Sequence, residues 1–324
     1  MKHWNKNLNT TVKTKGKVLI IILAVSLLFG GCSSSINSQV TDENRLSVVT
    51  TIFAAYDFAR SVCGNEADVK MLLKPGAEAH TYDPTPQDIL SIENCDVFIY
   101  VGGENDTWVD TVLEGMDTSD MVILRMLDLC SLLKEEEDEA DEEEWDEHVW
   151  TDPSRAMLIA SEIGRVTAKL ERERGNEAGA LQIETDCEAY LTQLQEVDLA
   201  FSEVIEQADR KLLVFADRFP LRYFTEAYGL DYVAAFPGCS TDSEPSARKV
   251  AELIDLVREE EIPVIFKIEL TSDSMAQTIA EETGAKILTF YSCHTISKDD
   301  FEAGETYISL MYKNVEALKE ALYQ

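Results

Sequence analysis

The chain has 324 residues, with 61 Asp and Glu against 28 Lys and Arg, a formal net charge of −33 at pH 7 and 45% hydrophobic residues. A surface this acidic repels nucleic acid and anionic headgroups and attracts cations, so nucleic-acid binding is excluded. No CxxC pair occurs, which removes a thioredoxin-like or cysteine-zinc reading.

Residues 1–31 read as an export signal. Lys2, Lys6, Lys13, Lys15 and Lys17 form a positive head, and Val18 to Phe29 form an apolar core. That core is shorter than the roughly 20 residues a bilayer-spanning helix needs. It runs into Phe29-Gly30-Gly31-Cys32-Ser33-Ser34-Ser35, which resembles a bacterial lipoprotein cleavage box. The expectation is a lipid on Cys32, a flexible polar tether over residues 32–45, and a protein that works outside the cytoplasmic membrane, anchored to it.

After the tether, short apolar runs alternate with helical spacing. Expected strands are Leu46–Ile52, Asp68–Leu73, Asp96–Val101 and Met121–Arg125, then Leu212–Ala216, Asp231–Phe236, Pro263–Ile268 and Lys286–Tyr291. Their near-continuous apolar character suits parallel strands buried on both faces. Between the two sets lies helical sequence only. One helix starts at the Asp152-Pro153 cap and stops at Gly175-Asn176. The next carries Cys187, Tyr190, Leu191, Leu194, Phe201, Val204, Ile205 and Ala208 at three- and four-residue spacing. The expected fold is α/β with two lobes, each a mostly parallel sheet flanked by helices, joined by a long rigid helix. The lobes span residues 46–176, with an acidic loop at 135–147, and residues 209–324; the joining helix spans 177–208.

Apart from His3, the histidines are His80, His148 and His294, each in a turn-like stretch after an expected strand. Imidazole is the commonest metal-ligating side chain. In open α/β sheets, ligands collect at the carboxyl ends of strands. His80 and His148 from one lobe and Asp217, Glu269 and His294 from the other all fall on that rim, so a cleft site between lobes is expected.

Two stretches carry a family resemblance. Pro75-Gly76-Ala77-Glu78-Ala79-His80-Thr81-Tyr82-Asp83-Pro84-Thr85-Pro86 resembles the first metal-ligand motif of the substrate-binding lipoproteins of zinc and manganese ABC transporters, and Glu147-His148-Val149-Trp150-Thr151-Asp152-Pro153 resembles the second. The resemblance implies a monomeric binding protein, not an enzyme, that hands its metal to a membrane permease. The chain departs from the family pattern at the third ligand, which would fall near Ala216, and at the fourth, which would fall near Tyr291. His294 is close enough in sequence to fill one vacancy; Glu269, Asp217 or water is left for the other. Three imidazoles with an optional carboxylate suit zinc better than manganese, which favours more oxygen ligands.

The competing readings are a lipid-anchored zinc hydrolase, for which three His ligands leave an open coordination position, and an adhesin-like surface lipoprotein. HExxH and GxSxG motifs are absent. Two further expectations concern the rim. Cys239 and Cys293 both follow second-lobe strands, so a disulfide between them would fix the His294 loop. From Glu135 to Glu147, 11 of 13 residues are acidic. Charges packed so densely repel one another, so the run is expected to be an extended, mobile loop that gathers cations at the cleft mouth.

Overall fold

The computed structural model describes residues 45–103, 106–134, 145–236 and 246–323, with His80 described by its backbone alone. The signal and tether with Cys32, the acidic stretch 135–144 and the segment 237–245 with Cys239 lie outside the described residues. No helix among the described residues is long and apolar enough to cross a membrane.

The first half alternates strand and helix: β1 (Leu46–Thr50), α1 (Phe53–Cys63), β2 (Ala67–Met71), α2 (Pro86–Glu93), β3 (Val97–Tyr100), α3 (Thr107–Glu114) and β4 (Val122–Arg125). Its sheet is parallel throughout, in the order β2-β1-β3-β4. Two long helices follow, α4 (Pro153–Glu173) and α5 (Glu177–Glu206). The second half then repeats the pattern with β5 (Leu212–Phe215), α6 (Arg222–Tyr228), β6 (Asp231–Ala234), α7 (Ala247–Glu259), β7 (Val264–Ile268), α8 (Ser274–Thr283), β8 (Lys286–Phe290), α9 (Lys298–Glu302) and α10 (Tyr307–Leu322). Its parallel sheet runs β6-β5-β7-β8. All eight expected strands are present, seven of them trimmed by a residue or two and β2 beginning one residue earlier and ending two earlier than expected.

The helix ends follow local chemistry. Thr85 and Asp88 form a capping box with Pro86 in the first turn of α2, so the Pro84-Thr85-Pro86 tail of the first motif is a helix start. Asp152 caps α4 by accepting from Ser154 N at 2.8 Å. Arg174-Gly175-Asn176 turns the corner. Gly175 sits at φ +82, and the Asn176 side chain accepts from Gly179 N at 3.0 Å to start α5.

Side chains along the inner strands alternate between two cores, as a two-residue period demands. Val48, Val97 and Ile99 face one cluster, while Val49, Phe98 and Tyr100 face another beneath α2 and α3. In the second sheet Leu213, Phe215, Val264 and Phe266 face the same cluster that Val48 faces, while Val214 and Ile265 pack under α7 and α8. Both sheets therefore share one central core, filled by α1, α4, α5, α6 and α10. At ~1.5 Å per residue the 30-residue α5 is about 45 Å long. It is a strut packed along its length: Ile183, Cys187, Tyr190, Leu194, Val197, Phe201 and Val204 are buried. Gly164 of α4 admits this helix, because a Cβ there would lie 2.6 Å from Cys187 Sγ.

Candidate metal centre

His148 stands at the foot of the acidic run. Asp146 N donates to Leu133 O at 3.0 Å, and Lys134 and Trp145 form an antiparallel bridge, closing the run at its base. Asp146, Glu147 and His148 are all buried. The end of the acidic run is thus interior structure, which corrects the expectation of a mobile loop through to residue 147. The reason is hydrogen bonding. Asp146 Oδ1 accepts from His148 N at 2.9 Å and lies 3.1 Å from His148 Nδ1, and Tyr223 donates to the Asp146 carbonyl at 2.7 Å. Burial would raise the Asp146 carboxyl, but His148 beside it, through charge and hydrogen bonds, holds it below the ordinary carboxylate value. An ionised Asp146 keeps the imidazole proton on Nδ1 and leaves the Nε2 lone pair for a ligand.

The second imidazole arrives from the other lobe. The His148 and His294 ring centroids are 5.6 Å apart, edge to face, and Trp150 lies 5.2 Å from one and 5.1 Å from the other. Trp150 is itself fixed: its Nε1 donates to Ser292 O at 2.9 Å, and Tyr307 donates to its carbonyl at 2.7 Å. The His80 imidazole lies outside the described residues; its backbone forms a short turn over Ala79–Thr81. Among the described side chains, no three His, Cys, Asp or Glu converge as a metal cage.

The His294 loop is stitched to the first lobe. Phe53 N and Ala54 N, at the start of α1, donate to His294 O and Cys293 O at 3.2 and 3.1 Å. Gly76 N donates to Ile296 O at 2.7 Å, and Thr295 Oγ1 donates to Ala77 O at 3.0 Å. Glu269 braces the loop from its own lobe. Its carboxylate accepts from Ser292 Oγ at 2.6 Å and Ser292 N at 2.8 Å, and Ser292 Oγ accepts from His294 N at 3.2 Å. Burial pushes the Glu269 carboxyl up, and these donors partly offset it.

Asp217 is a bracket between strands. It accepts from Arg218 N at 2.8 Å, from Ile268 N at 3.1 Å and from the Thr271 hydroxyl, tying the end of β5 to the end of β7. Ala216 is buried, and the side chain that enters the cleft from this strand end is Arg218. The cleft is lined by Glu78 and Ala79 from one lobe and by Arg218, Glu269, Leu270 and His294 from the other. The expected disulfide is not formed. Cys293 is a free thiol with no exposed surface, at φ +59, packed into the central core, and Cys239 lies outside the described residues.

Asp146 and Arg218 lie outside both quoted motifs, and Trp150 lies within the second without having been singled out there. Asp146 carried a signal, a carboxylate two residues before a histidine, but the surrounding acidic run hid it. Arg218 carried none.

Over residues 48–321 the chain matches the family described as zinc-uptake complex component A, periplasmic (ZnuA). It is 31% identical over 318 residues to the zinc-binding lipoprotein AdcA of Streptococcus pneumoniae R6, covering 95% of this chain and 61% of that relative. It is 30% identical over 315 residues to the high-affinity zinc uptake system protein ZnuA of Bacillus subtilis 168, covering 94% of this chain and 97% of the relative. The fold matches the crystal structure of the Zn(II)-bound ZnuA-like domain of S. pneumoniae AdcA with a TM-score of 0.72 at 31% identity, over 86% of this chain and 100% of that one. Matched by the family model over residues 48–321 and 30% identical to a relative it covers almost end to end, the chain belongs to the ZnuA family of zinc-uptake components.

Proposed function

We propose that this chain is an extracytoplasmic, lipid-anchored, monomeric binding protein that captures zinc between its lobes and delivers it to the permease of an ABC transporter. The observation that carries the reading is the His148–His294 pair, brought from two lobes to one buried point, with one ring oriented by Asp146. His80 would complete a three-imidazole set. Glu269 is the candidate for the fourth contact, with Asp217 or water in reserve. An imidazole-rich set favours zinc over manganese. Relatives named for zinc binding and zinc uptake point the same way. Membership of a solute-capture family removes the hydrolase reading.

The test is elemental analysis of the loaded protein, followed by competition titration of variants. His148→Ala and His294→Ala should each weaken zinc binding by orders of magnitude, and Glu269→Ala less, with its deficit showing as a misplaced His294. Parent-like zinc affinity in the His294→Ala protein would remove the second-lobe ligand.

A further inference from the structure

Arg218 places a guanidinium in a cleft read as a cation site. Its Nη1 lies 3.6 Å from Glu78 Oε1, beyond the roughly 2.7–2.9 Å of a charge-assisted hydrogen bond. Among the described residues its side-chain N–H groups make no hydrogen bond; only its backbone N–H does, to Asp217. The Arg218 side chain keeps 21% of its surface exposed, and Glu78 reaches it from the other lobe with 46% exposed. Glu269, the other carboxylate in the lining, is engaged by Ser292. Apart from this long ion pair with Glu78, the planar fork of donors that fits a carboxylate edge faces the cleft with no hydrogen-bond partner among the described residues.

That fork is a liability for a bare ion. Coulomb energy scales with the product of charges, so a guanidinium opposes a dication twice as strongly as it opposes a monovalent cation. The neighbouring wall is apolar, made by Pro220, Ile268 and Leu270. Leu270 is 41% exposed and held at φ +62, a region that L side chains rarely adopt. A naked metal ion needs neither a donor fork nor an apolar wall. A metal accompanied by a small organic anion uses both.

We propose that the cleft takes zinc together with a small carboxylate, which shares the metal and is held by the Arg218 guanidinium. This rests on the zinc-capture reading above and adds the chemical class of a co-ligand. The histidines supply neutral donors, the carboxylate cancels the repulsion between cation and guanidinium, and the apolar wall receives its carbon skeleton.

The test is equilibrium dialysis of labelled acetate, glycine and malate, each in turn, against the metal-free and zinc-loaded protein, with zinc measured in the same samples. The parent should retain at least one of the three in proportion to its zinc, and only when zinc is present. Arg218→Gln should lower the carboxylate retained per bound zinc by about tenfold or more, since a charge-assisted pair is lost. Arg218→Lys keeps the charge without the fork and should also lose retention, which decides the matter if the Gln variant does not fold. Failure of the zinc-loaded parent to retain any of the three probes overturns the proposal, as does retention unchanged in both variants. Absence of zinc from the parent would instead sink the capture reading, and this inference with it.

Discussion

Asp146 is a carboxylate whose role depends on its depth. In solution it would be one more charge in an acidic run; buried against His148 it selects which ring nitrogen carries the proton. An amide at this position can either donate or accept and no longer holds one tautomer. Asp146→Asn should therefore cost about 10–100-fold in zinc affinity, the usual effect of losing a partner behind a ligating imidazole. Competition titration reads the loss, and unchanged circular dichroism would show the fold intact. Affinity equal to the parent would make Asp146 a loop anchor only. The meeting of His148 and His294 was legible in the sequence, because each follows an apolar run at a strand end, while the His80 imidazole lies outside the described residues. Arg218 and the depth of Cys293 were not. Both depend on the local course of the chain, one on which residue after β5 turns into the cleft and one on how the left-handed backbone at Cys293 buries its thiol.

At the scale of elements, the sequence showed nearly everything that local chemistry decides: eight apolar runs, the Asp152-Pro153 cap and the Gly175-Asn176 stop. It did not show what α5 rests on. Periodicity gives a helix its apolar face but not the partner of that face. The partner is a core common to both sheets, so the lobes are joined by packing as well as by chain. Leu194 has no exposed surface in that core. Leu194→Ala should cost about 2–5 kcal/mol, the range for a buried Leu truncation. The loss should lower one cooperative transition followed equally by tryptophan fluorescence and far-ultraviolet circular dichroism. Two separated transitions in the variant would show that each lobe stands on its own core.

The whole molecule is a polyanion, and its field acts on the arrival of a cation before it acts on equilibria. Residues 135–144 contribute nine of the acidic side chains, immediately before the buried Asp146-Glu147-His148 segment. Shortening this run should leave equilibrium zinc affinity within several-fold but slow association at low ionic strength, with the difference fading as added salt shortens the screening length. Stopped-flow loading across a salt series checks this, and equal rates at low salt would reduce the run to surface. The seam between the His294 loop and the first lobe bears on how the protein can change over generations. Three of its bonds join main-chain donors at residues 53, 54 and 76 to main-chain acceptors at 294, 293 and 296. Every amino acid except proline supplies that donor. These three bonds therefore hold the register of the loop through the main chain, and proline at 53, 54 or 76 is the substitution that removes a bond outright.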